Sequence, residues 1–167
     1  MNPFQIPLIA HLRGNHALEH ATMHLLARRT PGKYLMARAT PDGFTLYGQV
    51  AADEVTQASR EALVRLQAGQ HYLAIHPNCG TNIATAGLLA GFGAFLALET
   101  WRPKSRWARL SQVLWAATLG VLVAQPLGQW AQTWLTTSAQ VEHAQIGRVT
   151  SQRQGSLLRH DIEVHWE

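Results

Sequence analysis

GTNIATAGLLAGFGAFLAL, the stretch Gly80–Leu98, contains nineteen consecutive residues without a charge. At 1.5 Å per helical residue, that length covers about the 30 Å of a bilayer's hydrocarbon core. The stretch therefore predicts a membrane-crossing helix, the alternative being a buried helix of a soluble protein. Gly87, Gly91 and Gly93, with Ala90 and Ala94, give it a face small enough for close helix contact. A second apolar stretch, Leu110–Leu135, is bordered by Trp107, Trp130 and Trp134, where interfacial aromatics are expected, and Pro126 is expected to kink it. The connection Glu99–Arg109 is short enough for the two to form a helical hairpin.

The rest of the composition agrees with this division. Asp, Glu, Lys and Arg make up 14% of the 167 residues, below the usual quarter, and they are absent from the two apolar stretches. The net charge of +4 comes from scattered basic residues with no basic, aromatic-interleaved patch, so nucleic acid is not an expected partner. Cys79 is the single cysteine, which excludes an internal disulfide. Prolines at positions 3 and 7 interrupt the apolar N-terminal run, and no basic segment precedes it, so it does not read as a cleavable signal.

Ahead of the apolar stretches, Asn15–Arg29 carries Leu18, Ala21, Leu25 and Leu26 near helical spacing and stops at Thr30-Pro31-Gly32. Residues 34–50 predict a β-hairpin around Pro41-Asp42-Gly43. From Ala52 to Gln67, Val55, Ala58, Ala62 and Leu66 recur every three or four residues, the pattern of an amphipathic helix. His71–His76 reads as a strand halted by Pro77. Beyond Thr136, Gln145–Ser151 and Leu157–Trp166 read as a hairpin around Gln154-Gly155. Both flanks of a membrane hairpin lie on one side, so this tail can join the N-terminal sheet. The expected fold is α+β: a small α-β-β-α-β domain (1–79), a transmembrane hairpin (80–135) and a C-terminal β segment (136–167).

His16-Ala17-Leu18-Glu19-His20 is the strongest chemical signal, an H-x-x-E-H on a predicted helix. Its spacing puts two imidazoles one turn apart on one face with a carboxylate beside them, the inverzincin arrangement. Two neutral imidazoles suit zinc or iron, and an unligated Glu can move protons. A histidine-bearing helix is more often satisfied by ordinary packing, and an inert buried thiol is the commoner fate of a lone cysteine. The position of Cys79 just before a helix N-terminus nevertheless favours a thiolate. His24 extends the ladder by a turn and reads as a surface or supporting residue. His76 is a weaker alternative ligand, and His11, His71, His143, His160 and His165 have no partner identifiable from spacing.

The order of elements after the H-x-x-E-H helix resembles the start of the pitrilysin and mitochondrial processing peptidases. Ile75-His76-Pro77-Asn78-Cys79-Gly80-Thr81 resembles the Cys-Gly-Thr strand end of the S-ribosylhomocysteine lyases, which share the peptidases' fold. Carried across position by position, the resemblance to the lyases implies His16, His20 and Cys79 as metal ligands and Glu19 as the acid-base group. It covers roughly residues 14–82. The lyases have a further reactive cysteine that this chain lacks, and the peptidases take a third ligand from a downstream Glu. Here Glu54 and Glu61 are the nearby candidates, and both read as the solvated face of the amphipathic helix. The segment His-Ala-Leu-Glu-His-Ala-Thr also resembles an uncharacterised bacterial membrane-protein family.

The expectation is thus an integral membrane metalloprotein with zinc or iron, acting as a metal-dependent hydrolase. The alternative is a non-enzymatic subunit or assembly factor of a membrane complex, whose histidines bind haem or a pigment. The expected partners are the lipid bilayer and either a membrane protein or a second copy of the chain. Arg102, Lys104, Arg106 and Arg109 against Glu99 would place the connection in the cytoplasm by the positive-inside rule. Translocating the preceding domain without a signal opposes that, and the domain is expected in the cytoplasm.

Overall fold

Proline is suited to the first position of a helix, because its φ is preset and its missing N–H would have no intrahelical partner there. Pro7 takes this place, so helix α1 spans Pro7–Arg29 and begins well ahead of the expected Asn15. It ends where Thr30 donates both its amide and its hydroxyl to the Leu26 carbonyl, two residues before Gly32 at φ +80°. The computed structural model describes residue 4, residues 6–100 and residues 103–167. Arg102, counted above in the basic connection, lies outside the described residues.

Strands β1 (Leu35–Thr40) and β2 (Gly43–Gly48) form the expected hairpin. Gly43, at φ +147°, is required at its turn, since a Cβ there would run into the Ile162 carbonyl. Helix α2 (Ala52–Gln67) buries Val55, Ala58, Ala62 and Leu66, the stripe read from the sequence. His71–Ala74 then forms a short 3-10 turn instead of a strand. Leu73 and Ala74 are both buried, which a strand alternating between two faces does not favour. Moreover, β2 is already paired on both edges, with β1 and with β4.

The chain divides into two compact units, residues 1–76 with 133–167, and residues 77–132. In the first, β3 (Ala144–Gln154) and β4 (Leu157–Trp166) complete a four-stranded antiparallel sheet in the order β1-β2-β4-β3. Helix α1 packs on α2, β1 and β2, and α2 packs on β3. Leu18, Leu26, Phe44, Leu46, Val55, Leu66, Leu73, Ile162 and Val164 make the core between helices and sheet.

Asn15, fully buried, fixes α1 against that sheet. Its amide donates to the carbonyls of Thr40 (2.9 Å) and Pro41 (3.0 Å), and its Oδ1 accepts the Trp166 indole N–H (3.0 Å). Gly14 lies beneath the same indole, leaving no room for a Cβ.

The second unit contains helix α3 (Gly80–Thr100) and helix α4 (Arg106–Ala131), which run antiparallel. Both are long and apolar enough to cross a membrane, α4 with the π-helical turn Gln132–Thr136 that continues it. The helices meet at glycines: Gly93 against the Ala116 carbonyl, Gly120 against the Leu89 backbone and Gly128 against Asn82. Gly87 and Gly91, which the sequence placed on a contact face, instead open onto space, and the close approach comes mainly from glycines of α4. Gln132 donates to Asn82 Oδ1 (2.7 Å), and Asn82 donates to the Pro77 carbonyl (2.7 Å). Helix α4 continues through Pro126.

Candidate metal centre

An i, i+4 spacing on a helix brings side chains to the same face. On α1 it places the rings of His16 and His20 with centroids 4.3 Å apart. His20 is buried and His16 half-buried; Glu19, between them in sequence, is also buried.

A backbone carbonyl can only accept, so a ring nitrogen hydrogen-bonded to one must carry the proton. His16 Nδ1 donates to the Thr136 carbonyl (2.9 Å), and His20 Nδ1 donates to the Ala74 carbonyl (2.7 Å). Both histidines of the motif are therefore held in the same tautomer, with the lone pair on Nε2. Backbone acceptors of this kind set ring orientation and basicity in metal-ligating histidines. Sequence reasoning missed both acceptors. Thr136 lies at the end of the π-turn, and Ala74 lies in the turn that replaces the expected strand.

His24 is not an isolated surface residue. Its Nε2–H donates to the Ile75 carbonyl (2.8 Å), and its ring lies 4.8 Å from that of His76. His76 is in turn 5.7 Å from His20. Burial, reinforced by the neighbouring His24 and His20, lowers the His76 pKa to about 4, so that ring is neutral at physiological pH. Two of the remaining histidines also find partners that spacing did not reveal. His11 stacks on Trp166 at 5.0 Å, and His160 Nδ1 pairs with the Ser151 hydroxyl at 2.7 Å.

Cys79 is buried and immediately precedes α3, where its sulfur accepts the Thr81 amide N–H at 3.4 Å. The same sulfur lies 3.5 Å from the Thr81 hydroxyl. Of the three metal-competent side chains read from the sequence, His16 and His20 belong to the first compact unit and Cys79 to the second. Glu61 belongs to ion pairs with Arg29 and Arg65 at the surface of α2.

Residues 11–149 match the family described as domain of unknown function DUF6391. The chain belongs to that family. It is also similar to an uncharacterized protein of Picosynechococcus sp., at 33% identity over 170 residues covering 93% of this chain and 80% of that one. No solved structure matches the chain. The matched residues of this chain include the H-x-x-E-H motif, Cys79 and both apolar helices.

Proposed function

We propose that this DUF6391 protein is a membrane-anchored, metal-dependent hydrolase in which His16, His20 and Cys79 hold one divalent ion and Glu19 carries protons. The observation that carries the reading is the matched tautomer of the two motif histidines, each with its Nδ1–H fixed by a backbone carbonyl. Two imidazoles and a thiolate are the borderline donor set that suits zinc, with iron as the alternative, and they leave a fourth position open. When bound, such an ion supplies Lewis-acid polarisation. Glu19, one residue from His20 and buried, accepts a proton from water and passes it to the leaving group.

Membrane insertion is part of the proposal. Only 11% of the most apolar window of α3 and 6% of that of α4 is buried, so neither helix has the surroundings of a soluble core helix. Helix α3, at 21 residues, is about 31 Å long, close to the thickness of the hydrocarbon core. The hairpin crosses the bilayer, with the metal-binding domain in the cytoplasm and a membrane-associated substrate. Release of the full-length protein by alkaline carbonate would refute the integral assignment, and protease removal of the domain from intact cells would reverse its side.

The catalytic reading is tested by elemental analysis and a peptide-cleavage screen on detergent-purified protein. Wild type is expected to hold one zinc or iron at this centre, His16→Ala and Cys79→Ser to lose it, and Glu19→Gln to keep the ion but lose cleavage. Metal content unaffected by His16→Ala would refute the ligand set.

A further inference from the structure

The ladder on α1 does not end at His20. We infer that His24 and His76 form a second transition-metal site, weaker than and separate from the one proposed for His16, His20 and Cys79. The ring spacing matches that of two imidazoles on one ion. With metal–nitrogen bonds of about 2.1 Å, a ligated ring centres about 3.2 Å from the ion, so rings at a tetrahedral angle stand about 5 Å apart. His24 and His76 are 4.8 Å apart and tilted by 53°.

The backbone beside His76 holds the His24 ring. The Ile75 carbonyl fixes the His24 ring by accepting its Nε2–H, which puts the His24 lone pair on Nδ1. His76 is the next residue, so one short segment orients the first ring and carries the second. This repeats at His24 the arrangement that holds His16 and His20, with a different carbonyl and the opposite ring nitrogen. Residues 24 and 76 are half-buried, which leaves solvent to complete the coordination.

The chemistry sets the class of ligand. Two imidazoles without a carboxylate or thiolate favour Cu(II), Ni(II) or Zn(II) over Mg(II) or Ca(II), which require oxygen donors. Two protein ligands instead of three make this the weaker and more exchangeable position. The inference does not rest on the hydrolase reading.

The test is a titration of metal-free, full-length protein in detergent with Zn2+ and Ni2+ by calorimetry, and with Co2+ by absorption. Two binding steps are expected in wild type: a tighter one with thiolate-to-cobalt charge-transfer absorption, and a weaker one without it. His24→Gln and, independently, His76→Asn should weaken the second step at least about 10- to 100-fold, since changes to groups that merely orient a ligand already cost that much. Both should leave the first step within about threefold. Far-UV circular dichroism checks the fold of each variant, and either variant alone suffices. A wild type that shows only the thiolate-linked step, a second step unchanged in a folded His24→Gln or His76→Asn protein, or loss of the thiolate-linked step in either would overturn the inference. Failure of the hydrolase site has a different signature: no thiolate-linked step in wild type, with the His24-dependent step retained.

Discussion

Replacing Asn15 by Ala removes three hydrogen bonds at once, to Thr40 O, to Pro41 O and from Trp166 Nε1, in a position with no solvent exposure. A buried hydrogen bond contributes about 1 kcal/mol net, and a donor or acceptor left unsatisfied costs about 1–3 kcal/mol. The loss should therefore be about 3 kcal/mol. The decisive assay is a double-mutant cycle with Trp166→Phe, read from urea midpoints of the detergent-solubilised protein. The indole N–H bond alone should give a coupling of about 1 kcal/mol, whereas unconnected sites add within about 0.3–0.5 kcal/mol. Additivity within that margin, or a loss below about 1 kcal/mol for Asn15→Ala, would refute the claim that this side chain fixes α1. Because His16 is the next residue, metal affinity at the first centre should fall with stability, while Trp166→Phe alone should change it little.

Further outcomes follow from the same packing. Gly120→Val should destabilise the helical hairpin by about 1–3 kcal/mol or more, because its Cβ meets the Leu89 backbone at 2.6 Å; Gly87→Val, facing open space, should be nearly neutral in detergent thermal shift. Burial lowers the pKa of His160 despite the opposing backbone at Val50 and Gly48 and the Asp161 carboxylate. The unfolded state therefore binds more protons below the ordinary histidine pKa of about 6.5, and stability should fall as pH drops through that value. His160→Asn should flatten this slope in pH-dependent urea melts, and an unchanged slope would exclude His160 as its origin. Gly14→Ala should cost about 1–3 kcal/mol by displacing the Trp166 indole, measurable as a lower unfolding midpoint with metal content kept.

Local chemistry made some elements readable. The α2 stripe of Val55, Ala58, Ala62 and Leu66 and the turns at Gly43 and Gly155 depend on spacing and backbone freedom within a few residues. The segment 71–76 has strand-like composition, but whether it pairs depends on which strand takes the open edge of β2, and β4 takes it. At the centre, the i, i+4 imidazoles were visible because one helix carries both. Their acceptors were not: Thr136 lies 120 residues from His16, and Ala74 lies 54 from His20. His24 and His76 were separated for the same reason, since nothing in local spacing brings α1 to the segment after α2. The contact glycines of the hairpin likewise depended on a register between two helices, which neither helix encodes alone.

The strand order also governs when the domain can exist. Phe44 and Leu46 of β2 face Ile162 and His160 across the β2–β4 ladder, and Thr45 bonds an aspartate 116 residues further along. Between them in the chain lie both apolar helices. During synthesis, α1, β1, β2 and α2 emerge with one edge of β2 unpaired and part of their core missing, and both apolar helices are made before the closing strand. Completion of the sheet therefore waits until both apolar helices have been synthesised. The Thr136 carbonyl that orients His16 is also supplied only after the second apolar helix has emerged. On the proposed metal reading, the first centre is therefore complete only after both apolar helices have been made.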